Sequence, residues 1–402
     1  MKIRVGVFFG GKSVEHEVSI ISAIQAINAF DKNKYDIIPV YITKNNELYT
    51  GEDVGKIEEY RDIPALLRKS SRIIIVSEDN KTKLVRYPMK KFGDSTVGEI
   101  DVAFPIVHGT NVEDGALQGY FQTLNIPYVG CDVVSSAVGM DKYVMKAVFK
   151  DNGIPVLDCV VVTASKFSGN PDKIIAEIRE KIGLPAVVKP VNLGSSVGIK
   201  IGRDDDELRD ALDHAFGFSG KVLVERAITQ LREINCSVCG DIDHAEASEC
   251  EEPFGSDEIL SFEDKYTSGG SKGGSKGGAK SSRMASLKRK IPADISDEMR
   301  NDIREMAVSA FTALGCCGVS RIDFMIDTEE NKVYLNEINT IPGSLSFYLW
   351  EPLGVKYPQL LDKMVSLALK RDRELKNLNF TFKSNILAEA KLGGTKGGKL
   401  NG

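Results

Sequence analysis

The chain has 402 residues and a formal net charge of −5, with 42% hydrophobic and 27% charged residues. That is the composition of a globular chain long enough for two or three domains. It argues against a nucleic-acid binder, which needs a basic face, and no apolar run reaches the ~20 residues of a membrane helix.

Met1-Lys2-Ile3-Arg4-Val5 enters a strand directly, without the apolar core and cleavage site of a signal peptide, so the expected location is the cytoplasm. The seven cysteines should then stay reduced. Ile3–Phe9 is an apolar strand ending in Gly10-Gly11, and the acidic start that follows predicts a helix with Ser13 as its N-cap. Tyr35–Tyr41 is the next strand, so the chain opens β-α-β, the signature of a parallel sheet with ligands at the strands' carboxyl ends. Glu15 stands at that end, either as a site residue or as a complement to the helix dipole. Residues 51–99 are charged and weakly patterned. Asp101–His108 is a buried strand, Asn111–Gly115 a turn and Ala116–Leu124 a helix. His108 at the strand's end is a phosphate contact or a satisfied structural histidine. Pro127–Gly130 marks the edge of a first domain, 1–130.

Residues 131–226 read as a smaller α/β unit. Ser136–Asp151 is predicted helical and carries Lys142, and Leu184–Pro190 is a strand carrying Lys189. The Gly/Ser loop at 191–198 sits between antiparallel strands, where its N–H groups can cover phosphates. It has no GKS or GKT ending and opens no helix, which disfavours a P-loop. Lys221–Glu225 is a strand leading through Arg226-Ala227-Ile228 into a third unit, 227–380.

There Glu233 begins the strand EINCSVCG. Its Cys236-x-x-Cys239 spacing has no second pair, and reads as strand packing rather than metal or redox chemistry. The Gly/Ser/Lys tract inside 262–290 is either an inert loop or an active-site lid. A helix over Ser296–Leu314 is capped by Ser296 and stopped at Gly315, Cys316-Cys317 is packing, and Tyr357–Leu375 is a further helix. The tail 381–402 is expected to be partly disordered, above all at 392–402. Between the two helices lies the most informative stretch, RIDFMIDTEENKVYLNEINTIPG (321–343). It predicts two strands, Arg321–Ile326 and Val333–Ile338, joined by a polar turn. Alternation puts Arg321 with Asp323, and Glu337 with Asn339, on one face. The hairpin is either an exposed one with solvated charges or a buried one whose charges need partners or a metal, and hard oxygen donors without Cys or His suit Mg²⁺.

Taken together, FGGKSVEHEVS (9–19), HGTNVEDGALQG (108–119), MDK (140–142), VVKPVNLGSSVGI (187–199), DKY (264–266), RIDF (321–324) and NEINTIPG (336–343) resemble the D-alanine–D-alanine ligase family of ATP-grasp enzymes, over roughly residues 3–375. The resemblance implies an α/β ATP-grasp fold of three domains, with nucleotide held between the central and C-terminal ones. By the same resemblance, Glu15 orients the first substrate's ammonium in a network with Ser195 and Tyr266. Lys142 and Lys189 grip the nucleotide phosphates and Lys265 the γ-phosphate. Glu225 and the backbone of Arg226–Ile228 hold adenine, and Glu233 the ribose. Asp323, Glu337 and Asn339 hold two Mg²⁺ ions, with Mn²⁺ able to substitute. Arg321 and the Gly343 N–H face the oxyanion, and His108 contacts the transferred phosphate or helps deprotonate the amine.

The implied reaction joins two D-alanines through an acyl phosphate, for peptidoglycan, in a homodimer that binds neither nucleic acid nor membrane. Two departures from the family pattern point to the second amino acid. Tyr348 stands where the dipeptide ligases carry a serine, and the lid is long and rich in Gly, Ser and Lys. Both bring the chain closer to D-alanine–D-serine ligases of the VanG type, which makes D-alanyl-D-serine the alternative product. Lys265-Tyr266 is the lid pair of peptide-forming rather than ester-forming members. A regulatory ATP-binding module would lack metal or oxyanion residues, and all are present here. An ATP-grasp ligase joining a different carboxylate and amine would not need Glu15 together with Ser195 and Tyr266.

Overall fold

The computed structural model describes residues 2–78, 81–194, 196–253 and 289–380. Ser195, Lys265, Tyr266, most of the predicted lid and the tail 381–402 lie outside the described residues.

Among the described residues there are three sheets, the first with seven strands in the spatial order Thr96–Ile100, Lys81–Arg86, Ser71–Glu78, Leu48–Thr50, Tyr35–Ile42, Ile3–Gly10, Val102–Ile106. Its last three are parallel, as the β-α-β opening requires. The others form an antiparallel meander, mostly from the stretch read as weakly patterned. Such strands bury one face only, and Thr96–Ile100 contributes a single buried apolar side chain, so charges on the solvent side dilute the alternation. The first helix, His16–Ala29, starts later than predicted, with Glu15 rather than Ser13 at the N-cap. Ser13 Oγ instead accepts the Glu15 N–H at 3.1 Å and closes the preceding turn. Gly10 leaves its strand at φ +98°, where a Cβ would clash with the Ile42 carbonyl.

The second sheet has four antiparallel strands in the order Lys200–Gly202, Ala186–Pro190, Lys221–Arg226, Cys159–Thr163. Ile175 and Ile178 from helix Pro171–Lys181, and Leu208 and Leu212 from helix Asp205–Phe216, pack on Val188 and Val224 to make its core. The single helix predicted over 136–151 is in fact two, Val133–Met140 and Lys142–Asp151. Asp141 interrupts them in an extended conformation, and its carboxylate accepts the N–H groups of Tyr143 (3.0 Å) and Val144 (3.1 Å). That cap places Lys142 in the first turn.

The third sheet is antiparallel, in the order Arg289–Lys290, Ala245–Pro253, Leu231–Gly240, Gly318–Asp327, Lys332–Asn339. Ile234, Cys236, Val238, Ile322, Phe324 and Leu335 form its apolar face, buried against helix Asp297–Ala313. Cys239 belongs instead to the core under the first sheet, because residues three apart on a strand face opposite ways. The last helix, Tyr357–Lys376, returns to the first sheet through Leu360, Leu361, Met364 and Val365, while Arg371 donates to the Gly130 and Tyr128 carbonyls. No helix among the described residues is long and apolar enough to cross a membrane.

Candidate active site

The polar face of the third sheet is a site laid out by strand register. Glu337 pairs with Asp323, Asp323 with Asn235, and Asn235 with Glu251. Directly opposed residues share a face, so these four form a row across the sheet, opposite the Phe324 side. Arg321, paired with Asn339 and Ser237, forms a second row. The Arg321 guanidinium donates to both Asp323 oxygens, at 2.6 and 2.7 Å, and Asn339 Nδ2 donates to Asp323 at 3.0 Å. The hairpin therefore gathers the guanidinium, two carboxylates and amide that alternation predicted. Burial disfavours the charge on Arg321, but Asp323 more than offsets it and holds the guanidinium firmly protonated. Asp323 pairs with Glu337 while Phe324 pairs with Leu335, so Asn336 is an extra, bulged residue whose amide oxygen accepts Lys189 Nζ at 3.0 Å. Among the described residues no three His, Cys, Asp or Glu side chains converge on a metal position. The expected set has two carboxylates completed by the Asn339 amide, a hard donor set that fits Mg²⁺.

Two lysines reach this row from the central unit. Lys142 Nζ pairs with Glu337 Oε2 at 3.0 Å and donates to the Leu193 carbonyl at 2.7 Å. Lys189 Nζ donates to Glu225 as well as Asn336. Glu225 also accepts Lys146 Nζ at 2.5 Å, and Lys146 and Glu225 are 4% and 1% exposed. Burial alone would push the Glu225 carboxyl up, but the charges and hydrogen bonds of Lys189 and Lys146 bring it down to about 2. The side chain assigned to adenine is thus held between two lysines. Lys146 was not among the expected residues, although it lies one helical turn beyond Lys142 on the same face. The Arg226 guanidinium turns to Asp327 at 2.8 Å and stacks on Tyr334, and Ala227 N–H donates to the Pro185 carbonyl at 2.9 Å. Ile228 follows half-buried, and Glu233 is exposed two residues before Asn235 on the polar face.

The first sheet contributes the remaining groups. Glu15 is 7% exposed at the head of its helix. Gly109 lies against it at φ +83°, where a Cβ would sit 3.0 Å from Glu15 Oε2; from the loop after Lys189, one on Gly194 would sit 3.4 Å from the same oxygen. Glu113, which the sequence places only in a turn, lies close enough to Glu15 and Glu337 to feel both charges. Its carboxylate accepts the N–H groups of Gly109 at 2.6 Å and Ile341 at 3.3 Å, while burial and the neighbouring Glu15 charge push it up to about 8. His108 is 3% exposed, with Nδ1 bonded to the Ile341 carbonyl at 2.7 Å and Nε2 to Ser22 Oγ at 2.9 Å. Burial lowers it to about 4, so it is neutral. Both ring nitrogens are thus engaged by protein groups. Gly343 opens a short helical segment, Gly343–Leu349, in which Ser344, Leu345 and Ser346 are all left-handed, with φ of 51°, 53° and 49°. That costs about 1–2 kcal/mol per residue. Ser22 and Gln25 anchor the segment by accepting Ser344 N at 3.0 Å and Ser344 Oγ at 2.6 Å, and it presents Tyr348 to the sheet.

Three sheets in this order, with two lysines facing a carboxylate-bearing hairpin, have the fold of an ATP-grasp enzyme. Residues 4–131 match the family described as D-ala D-ala ligase N-terminus, and residues 148–366 the one described as D-ala D-ala ligase C-terminus. The chain belongs to the D-alanine–D-alanine ligase family. It is 38% identical to the D-alanine–D-alanine ligase of Thermosipho melanesiensis, over 96% of this chain and 98% of the relative. With that of Thermoanaerobacter sp. it shares 42% over 93% and 98%. Among solved structures, the D-alanine–D-alanine ligase of Coxiella burnetii superposes with a TM-score of 0.75 at 30% identity, over 93% of this chain and 96% of that one. The VanG D-Ala:D-Ser ligase of Enterococcus faecalis does so at 0.74 and 31%, over 92% and 100%.

Proposed function

We propose that this chain joins two D-alanines into D-alanyl-D-alanine at the expense of ATP, for peptidoglycan precursors, in the cytoplasm and as a homodimer. Full-length identity to curated D-alanine–D-alanine ligases supports the activity. The observation that carries the assignment to this site is the convergence of Lys142, Lys189, Arg321, Asp323, Glu337 and Asn339 on one sheet face.

The carboxylate of the first D-alanine attacks the γ-phosphorus of ATP, ADP leaves, and an acyl phosphate forms. The amine of the second D-alanine adds to its carbonyl, and the tetrahedral intermediate collapses with loss of inorganic phosphate. Asp323, Glu337 and Asn339 would hold two Mg²⁺ ions, or Mn²⁺ in their place, which neutralise phosphate charge when bound. Lys142 and Lys189, fixed by Glu337 and Glu225, neutralise phosphate oxygens alongside Lys265. Arg321 and the Gly343 N–H receive the oxyanion; held rigid by Asp323, the guanidinium needs little reorganisation. Glu15, with Ser195 and Tyr266, orients the first ammonium, a cation suited to a carboxylate beside Glu113. His108, neutral and doubly bonded, acts through Ile341, two residues before Gly343. Arg226, Ile228 and Glu233 line the adenosine.

Tyr348 favours a second reading, D-alanyl-D-serine synthesis. Phosphate release with ATP and Mg²⁺, measured with D-alanine alone and with D-alanine plus D-serine and the products identified by mass, tests both. D-alanine-dependent release yielding D-alanyl-D-alanine is expected. No release in either mixture refutes the ligase, and a predominantly mixed dipeptide establishes the alternative.

A further inference from the structure

The polar row has two unlike ends. Glu337, with Lys142 and the nearby Lys189, stands at one, and Glu251, on strand Ala245–Pro253, stands at the other. Glu251 is 3% exposed, and its carboxylate accepts three donors: Tyr348 Oη at 3.1 Å, Asn235 Nδ2 at 3.0 Å and Arg289 Nη1 at 3.2 Å. The Arg289 guanidinium carbon lies 4.1 Å from the centre of the Tyr348 ring, stacking distance for a cation on an aromatic face. Trp350 Nε1 donates to Ser237 Oγ at 3.2 Å and fixes the backbone just beyond Tyr348.

We propose that Glu251 is a positioning residue for the second amino acid, holding the Tyr348 phenol and the Arg289 guanidinium together as the wall of the acceptor subsite. The inference rests on the ligase reading above and gives its acceptor a place. An amine adding to an acyl phosphate approaches away from the departing phosphate oxygen. With the phosphate-facing lysines at the Glu337 end and Arg321 between, the acceptor comes from the Glu251 end. An amino acid bound there brings a carboxylate, and Arg289, seated on the Tyr348 ring, is a described cation at that end of the sheet. The phenol, tied down by Glu251, sets the room left for a methyl or hydroxymethyl side chain. Glu251 touches neither substrate; its effect passes through Tyr348 and Arg289.

Glu251→Gln preserves size but removes the charge that orders both neighbours. The D-alanine concentration that half-saturates dipeptide formation should rise about tenfold, as loss of one charge-assisted contact allows. In an equimolar mixture, the ratio of D-alanyl-D-serine to D-alanyl-D-alanine should shift by roughly threefold or more. The KM for ATP, set at the other end, should stay within about twofold. A folded Glu251→Gln protein with wild-type half-saturation and product ratio overturns the proposal while leaving the ligase reading intact. Should that variant not fold, Tyr348→Phe, which deletes only the hydroxyl Glu251 holds, is put to the same product-ratio measurement. A shifted ratio is expected there, and a wild-type ratio overturns the proposal. A wild-type protein that releases no phosphate with D-alanine rejects the ligase reading and this proposal with it.

Discussion

The five-stranded sheet shows two designs back to back on the same strands. On one face Ile234, Cys236, Ile322, Phe324 and Leu335 are essentially dry and pack on helix Asp297–Ala313. On the other, Asn235, Arg321, Asp323 and Glu337 are charged or polar, and each charge has a counter-charge within 3.0 Å. Alternation along a strand separates the two by one residue, so a change at 323 and a change at 324 have different consequences. The apolar face gives stability through burial. The polar face gains little net stability from its ion pairs, because desolvation cancels most of the attraction. Its value is a set of charges held in place before substrate arrives.

That contrast breaks first if the polar face proves dispensable. Lys189→Met removes a cation expected at the phosphates, and turnover should fall on the order of 10³-fold. Steady-state ADP release measures it, and near-normal turnover would remove Lys189 from the site. Phe324→Ala tests the opposite face, with an expected loss of about 3–5 kcal/mol in unfolding free energy by denaturant titration. The fraction still folded should bind nucleotide with wild-type affinity; weakened binding at full folding would erase the distinction between faces.

Lys146→Met sharpens the comparison, since Lys146 supports the polar face from behind. Glu225 would keep one lysine of two, and nucleotide affinity should drop about tenfold by calorimetry, with recovery in Lys146→Arg. The same triad sets an acid limit. The Glu225 carboxyl titrates at about 2 in the folded protein against an ordinary 4.5, so its contribution is complete above pH 4.5 and is lost as pH falls toward 2. Acid unfolding followed by circular dichroism should lose that part of its pH dependence in Glu225→Gln. The smallest effect expected is at Glu113, held up to about 8 beside Glu15. A bound ammonium favours its ionised form, so kcat/KM for D-alanine should rise several-fold between pH 7 and 9. Glu113→Gln should flatten that rise; an unchanged profile assigns it to another group.

What the sequence revealed follows the same division. The hairpin was legible because Arg321, Asp323, Glu337 and Asn339 alternate with Ile322, Phe324 and Ile338, and charges in such a run require a partner. Asn235 shows the same alternation between Ile234 and Cys236, but a neutral amide carries no such requirement. Glu251 enters the row only through its register against Asn235, and Arg289 reaches it from a further strand paired at Pro253, which no local pattern encodes. Glu113 lies in a turn, where a carboxylate is ordinarily solvated. The break at Asp141 was readable as an N-cap, yet apolar residues on both sides sustain a helical period across it. His108 carries no local sign in the sequence of its ring partners, Ser22 and Ile341, which come from other elements of the fold.

The most direct test of the two-faced sheet is Glu337→Ala, with turnover and unfolding free energy measured on the same preparation. D-alanine-dependent ADP formation is expected to fall by about 10³-fold or more in a protein that still folds, although buried Lys142, left without its carboxylate, lowers the unfolding free energy. A folded Glu337→Ala protein that turns over at a near-normal rate would contradict that expectation.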